Sequence, residues 1–154
     1  MTSSREQGKT ADSLIGALTA RLTGDQVIRH VNFSGRSMLP MLRQGKDTVE
    51  LKKAPERLKK YDLPMYRGPG GKYVMHRIVD VKDDHYVCLG DNTYVYEKVR
   101  REQIVAMVCA FYRGDRRISV EAPGYRLYCR FWCAAYPVRK LLRRAKHWLG
   151  RRLK

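Results

Sequence analysis

A mostly β core is predicted for this chain, with a short helix before it and a basic amphipathic helix after it. Three observations predict this. Several short strand-like runs follow one another at close spacing with turn signals between them. One longer apolar run, Ile104 to Tyr112, reads as a buried strand. Beyond Pro137, apolar residues recur at helical spacing among Lys and Arg. A length of 154 residues suits one domain with a sizeable core and not two. The expected division is an N-terminal helical segment over 1–24, a core over 25–121 and a basic amphipathic tail over 122–154.

Ser13 to Leu22 is read as the first helix. Asp12 or Ser13 caps it, Leu14, Ile15, Leu18 and Leu22 share a face, and Gly24 lies just past its end. Val27 to Phe33 is strand-like. Asp47 to Leu51 alternates, with Val49 and Leu51 on one side. Ala54 to Lys60 is charged loop or a helical turn, and Leu63 to Arg67 a short strand. Gly68-Pro69-Gly70-Gly71 is a turn. Tyr73 to Val81 and His85 to Leu89 read as a hairpin around Lys82-Asp83-Asp84, with Val74, His76 and Ile78 on one face. Arg113 to Arg116 turns the chain from the long apolar strand into Arg117 to Val120.

The formal net charge is +17, and it is uneven. Residues 122–154 hold ten Lys or Arg and no Asp or Glu. In the final helix Val138, Leu141, Leu142, Ala145, Trp148, Leu149 and Leu153 recur on one side. A basic helix with Trp on its apolar face suits an anionic membrane surface, which is the expected partner of the tail; docking on the core is the alternative. Nucleic acid is a weaker fit, and no specific nucleic-acid partner is expected. Met1 to Asp12 is polar, with no apolar run after it to act as a secretory signal. The most apolar stretch, Leu127 to Val138, is too short to span a bilayer and contains Arg130. A cytoplasmic protein, peripheral at the membrane, is therefore expected. Cys88, Cys109, Cys129 and Cys133 lack zinc or redox spacing and read as buried thiols, so no metal or cofactor is expected.

Chemistry concentrates in two runs, Phe33-Ser34-Gly35-Arg36-Ser37-Met38-Leu39-Pro40 and Tyr73-Val74-Met75-His76-Arg77-Ile78-Val79. A serine hydroxyl is a weak nucleophile until a base within hydrogen-bond reach takes its proton, and in the second run only His76 can do so. By themselves, Ser37 reads equally as a turn serine and His76 as a half-buried strand histidine.

Four segments in order resemble the S24/S26 serine peptidase superfamily, which holds the signal peptidases and the LexA-type self-cleaving repressors. Gly35-Arg36-Ser37-Met38-Leu39-Pro40 is similar to its nucleophile box G-x-S-M-x-P. Leu42 to Val49 is similar to the L-x-x-G-D strand entry, with Lys46 inserted before Asp47. Tyr73 to Val81 resembles the strand that presents the base, and Gly90-Asp91-Asn92 matches the G-D-N box. The resemblance covers roughly residues 31 to 110. Where most bacterial members carry Lys-Arg, this chain has His76-Arg77, as in the endoplasmic-reticulum type. The resemblance therefore implies a compact signal-peptidase-like β core and a Ser–His endopeptidase acting on an extended peptide or precursor protein.

It implies Ser37 as nucleophile and His76 as base. Asp91 is favoured as the group that orients the imidazole, with Glu97 as the other candidate. The backbone N–H of Ser37 is the expected oxyanion donor. Gly35 stands where some members have an additional hydroxyl, and Ser34 is the nearby substitute. Only 36 residues precede Ser37, too few for a DNA-binding domain and linker, so a self-cleaving regulator is disfavoured. The alternative of another class is a non-catalytic module that binds a membrane or polyanion through its tail.

Overall fold

The computed structural model describes residues 13–152, without the side chains of residues 147 and 149–152; Asp12, one of the two expected helix caps, lies outside them. Helix α1 covers 13–20. Nine strands follow among the described residues: β1 (Val27–Val31), β2 (Asp47–Lys52), β3 (Pro64–Arg67), β4 (Tyr73–Met75), β5 (Arg77–Val81), β6 (Tyr86–Leu89), β7 (Glu97–Val99), β8 (Ile104–Arg113) and β9 (Arg116–Ser119). Two helices close the chain, α2 (Pro123–Ala134) and α3 (Tyr136–Arg152).

With about 33% strand and 28% helix, the architecture is mixed, with two sheets and three helices. The expectation of a mostly β chain gives too little helix, because the sequence reading assigns no element to 123–134. Tyr125, Tyr128, Cys129, Trp132, Cys133 and Tyr136 recur there at helical spacing, and Pro123 stands in the first turn. Aromatic and Cys side chains have modest helix propensity, so this stretch folds as a helix through burial of that face rather than through intrinsic preference.

β8 is the spine of the larger sheet, whose order is β1-β2-β8-β3-β4. One edge of β8 pairs antiparallel with β2. Its other edge is shared end to end, by β3 beside Ile104–Met107 and by β9 beside Ala110–Arg113. Ala106, Val108 and Ala110 are fully buried, as a near-continuous apolar strand between two neighbours requires. Leu42, Val49, Leu51, Leu63 and Met65 pack with Ala106 and Val108, together with Tyr125 and Cys129 of α2. The expected tail segment thus contributes its first helix to the main core. A second cluster, with Leu58, Tyr66, Ile78, Cys88, Val99 and Met107, joins the two sheets.

The run expected as one strand from Tyr73 to Val81 is two. β4 ends at Met75 in the larger sheet, and β5 begins at Arg77 in the smaller sheet, β5-β6-β7. His76 is the residue between them. The chain changes sheets at this point, and Val74 and Ile78 on either side of it still pack in one cluster with Tyr66, which His76 also meets.

On β2 of the larger sheet Glu50, 2% exposed, accepts from Arg117 at 2.7 Å and from the Tyr112 hydroxyl at 2.8 Å. The Arg117 hydrogen bonds hold its carboxyl down at about 2, against the opposing effect of burial. A depressed carboxyl stabilises the fold above its ordinary range and loses that stabilisation as pH falls through the folded value. Acid unfolding should therefore cost on the order of 2 kcal/mol between about pH 4.5 and 2, allowing for screening by solvent at the half-exposed Arg117. Thermal melts over this range check it: Arg117→Ala should flatten the dependence, and an unchanged slope would remove Glu50 as its source.

Candidate functional site

The site is built where the two sheets meet. Ser37 comes from the turn after β1, half-buried, on a stretch whose next residue, Met38, is 2% exposed and anchors it in the core. The Leu39–Pro40 peptide of this turn is cis. Gly35, at φ 101°, makes a backbone turn that a side-chain-bearing residue enters only with strain. Its N–H donates to Gln44 Oε1 at 2.9 Å, so that donor is already used. Ser34 is exposed.

The Gly90-Asp91-Asn92 segment after β6 clamps the turn. The Asn92 N–H donates to the Ser37 carbonyl at 2.7 Å, and Asn92 Nδ2 to the Arg36 carbonyl at 3.1 Å. Gly90 is required by close approach and not by its backbone angles. A Cβ there would stand 2.8 Å from the Ser37 carbonyl oxygen and 3.0 Å from His76 Cδ2. His76 Cδ2, the ring carbon bonded to Nε2, and the Ser37 carbonyl therefore both lie against the bare Cα of Gly90. Among the described residues no hydrogen bond joins Ser37 Oγ to His76; such contacts are often long before substrate binds. The Ser37 N–H likewise has no backbone partner among them.

The opposite edge of the imidazole is held tightly. His76 is 8% exposed, and its Nδ1 lies 2.5 Å from Glu97 Oε2. An ionised carboxylate only accepts, so Nδ1 carries the proton and Nε2 keeps its lone pair. Glu97 opens β7 in the smaller sheet, opposite Cys88 of β6. Tyr66, on β3 of the larger sheet, donates its hydroxyl to the same Glu97 oxygen and lies 3.2 Å from His76 Nδ1. Burial, and then the bond to Glu97, push the Tyr66 phenol far above its ordinary value, so it remains a donor. Burial also pushes the Cys88 thiol up to about 12, which makes it no competing nucleophile.

The two candidate orienting carboxylates are thus engaged differently. Glu97 meets His76. Asp91, 4% exposed, meets Arg77: Nε donates to Oδ1 at 2.8 Å and Nη2 to Oδ2 at 2.7 Å. Asp91 therefore does not touch the imidazole, contrary to the expectation that favoured it; the bidentate guanidinium pair fixes it one layer beneath. Arg77 also donates to the Tyr125 hydroxyl and Cys129 Sγ, and the Tyr128 hydroxyl donates to Asp91. The Trp132 indole and Arg139 both donate to the Asp91 carbonyl. This buried pair is the point at which α2 and α3 attach to the nucleophile's support.

Tyr66 carries no motif, and its part is visible only from the tertiary contact. No local pattern distinguished Glu97 from Asp91, since Asp91 lies in a turn and Glu97 opens a strand of three residues. Among the described residues no group of His, Cys, Asp and Glu could hold a metal ion. The thiols are free, Cys88 and Cys129 buried and Cys109 and Cys133 partly so.

The tail divides in two. The first turn of α3 docks: the Tyr136 hydroxyl donates to the Tyr94 carbonyl, and the Arg139 guanidinium stacks 4.0 Å from the Trp132 ring centroid. Further along, Val138, Leu141 and Leu142 are more than half exposed. Among the described residues no helix is long and apolar enough to cross a membrane. No family model matches the chain, and no curated protein or solved structure matches it either.

Proposed function

We propose that the chain is a serine endopeptidase of signal-peptidase-like type, with Ser37 as nucleophile, His76 as general base and Glu97 as the group that orients it. The observation that supports this most is the double constraint on His76. One ring nitrogen is tied to a carboxylate, and the ring carbon beside the other lies with the Ser37 carbonyl against Gly90. In this reading His76 Nε2 takes the Ser37 Oγ proton as that oxygen attacks a peptide carbonyl. Glu97 stabilises the imidazolium that forms. The Ser37 N–H, free of a backbone partner, donates to the developing oxyanion. The imidazolium then protonates the leaving amine, and water hydrolyses the acyl-enzyme by the same base. A fluorophosphonate probe tests the nucleophile: wild type should be labelled on Ser37 and Ser37→Ala should not. Equal labelling of both would remove Ser37 as the nucleophile, and no labelling of wild type would favour the non-catalytic binding module.

We further propose that α3 rests on an anionic membrane surface, supported by its exposed Val138 and Leu142 among cations and by the absence of Asp or Glu from 122–154. Each cation held near such a surface contributes about 1 kcal/mol, weakening with salt. Full-length protein should sediment with phosphatidylglycerol liposomes and be released by salt, while a chain ending at Lys140, which keeps the Tyr136 and Arg139 anchors, should not. Equal binding by both would assign the helix to the core alone.

A further inference from the structure

Between α3 and the loop that follows Gly90-Asp91 lies a groove of about 920 Å³. One wall is Asn92, Tyr94 and Val95; the other is α3. Its volume lies in the range of ligand sites. Lys140, Arg143 and Arg144 line it, and no carboxylate does. Arg143 is fixed over the Tyr94 ring, 4.6 Å from its centroid, so this cation belongs to the wall and is not simply solvated. Val95, Leu141 and Ala145 supply apolar surface between the charges.

The position of the groove suggests its occupant. Asn92 lines it and also donates to the carbonyls of Arg36 and Ser37, so the groove starts at the residue that holds the nucleophile turn. A flat lipid surface meets the convex side of a helix. A concave cleft with one wall from the core and one from the helix receives an inserted chain. Its charge selects an acidic one, and its apolar lining selects hydrophobic residues beside the acids.

We propose that this groove binds an acidic, apolar-flanked segment of the polypeptide substrate, outside the bond to be cleaved. The proposal rests on the peptidase reading for the word substrate, while the binding itself is independent of Ser37. Such an exosite would raise the local concentration of the scissile segment at the Ser37 turn, and would lower KM more than it changes kcat.

The test uses full-length protein and a fluorescein-labelled peptide that alternates Glu with Leu and Phe, read by anisotropy. Wild type and Ser37→Ala should bind it alike. Lys140→Glu/Arg143→Glu/Arg144→Glu should weaken binding at least about tenfold, and Leu141→Ser, which leaves the charges, should weaken it severalfold. A control of equal charge change at exposed sites elsewhere, Lys46→Glu/Lys53→Glu/Arg116→Glu, should keep it. Equal loss in the two triple variants would reduce the effect to net charge and overturn the proposal. So would binding of phosphatidylglycerol vesicles without binding of the peptide. Peptide binding by a protein whose Ser37 resists the fluorophosphonate probe would retain the groove and remove the peptidase reading.

Discussion

His76→Ala is expected to lower turnover by at least about 10³ while leaving the melting temperature nearly unchanged. An unassisted serine hydroxyl is a poor nucleophile, and the base contributes most of its activation. Glu97→Gln should cost on the order of 10² or more, because an amide can donate to Nδ1 and so favour the tautomer with its proton on the wrong nitrogen. Asp91→Asn separates the two carboxylates, since any loss of activity in it should follow the folded fraction. Full activity in His76→Ala with an assayed peptide would remove His76 as the base. Gly90→Ala should resemble a mild form of the same loss, because its Cβ would force apart the Ser37 carbonyl and the imidazole edge.

The second large effect is on stability. Arg77 is fully buried beneath the site, and its charge is held although burial opposes it, through Tyr125 and Asp91. Removing one partner of such a pair leaves an uncompensated buried charge, which typically costs about 3–5 kcal/mol. Arg77→Ala should therefore lower the melting temperature by roughly 10 °C in a chain of this size. It should also loosen α2, because Tyr125 and Cys129 lose the guanidinium that joins them to Asp91. Replacing both charges, in Arg77→Met/Asp91→Leu, should recover much of the loss, since paired apolar groups need no compensating charge. Chemical denaturation of the single and double variants checks this. A double variant no more stable than Arg77→Ala would mean that the hydrogen bonds to Tyr125, Tyr128 and Cys129, and not the charge pair, hold the helices.

Much of the larger sheet was legible because its strands alternate or run apolar between clear turns. Asp47–Lys52 and Ile104–Arg113 lie within a residue of their expected limits, as patterns of burial on one or both faces require. The tail helix was legible from its spacing, beginning at Tyr136 where Pro137 marks a first turn. Ser37 stood out in the box similar to the nucleophile box and His76 as the one base of the second run, and the fold brings both against Gly90.

Other features depend on contacts between segments distant in sequence. The break at His76 is a change of sheet within a run that reads as one strand, so no local signal marks it. The assignment of Glu97 to His76 and of Asp91 to Arg77 follows from where the fold places each carboxylate, Glu97 at the start of β7 and Asp91 in the turn after β6. Tyr66 reaches Glu97 from the other sheet, across 31 residues. By itself the sequence determined the residue types available for chemistry and the periodicity of the longer elements, because both are properties of local order. Only the tertiary structure decided which acid faces which base, because a hydrogen bond or ion pair depends on a separation of a few ångströms that chain position does not encode.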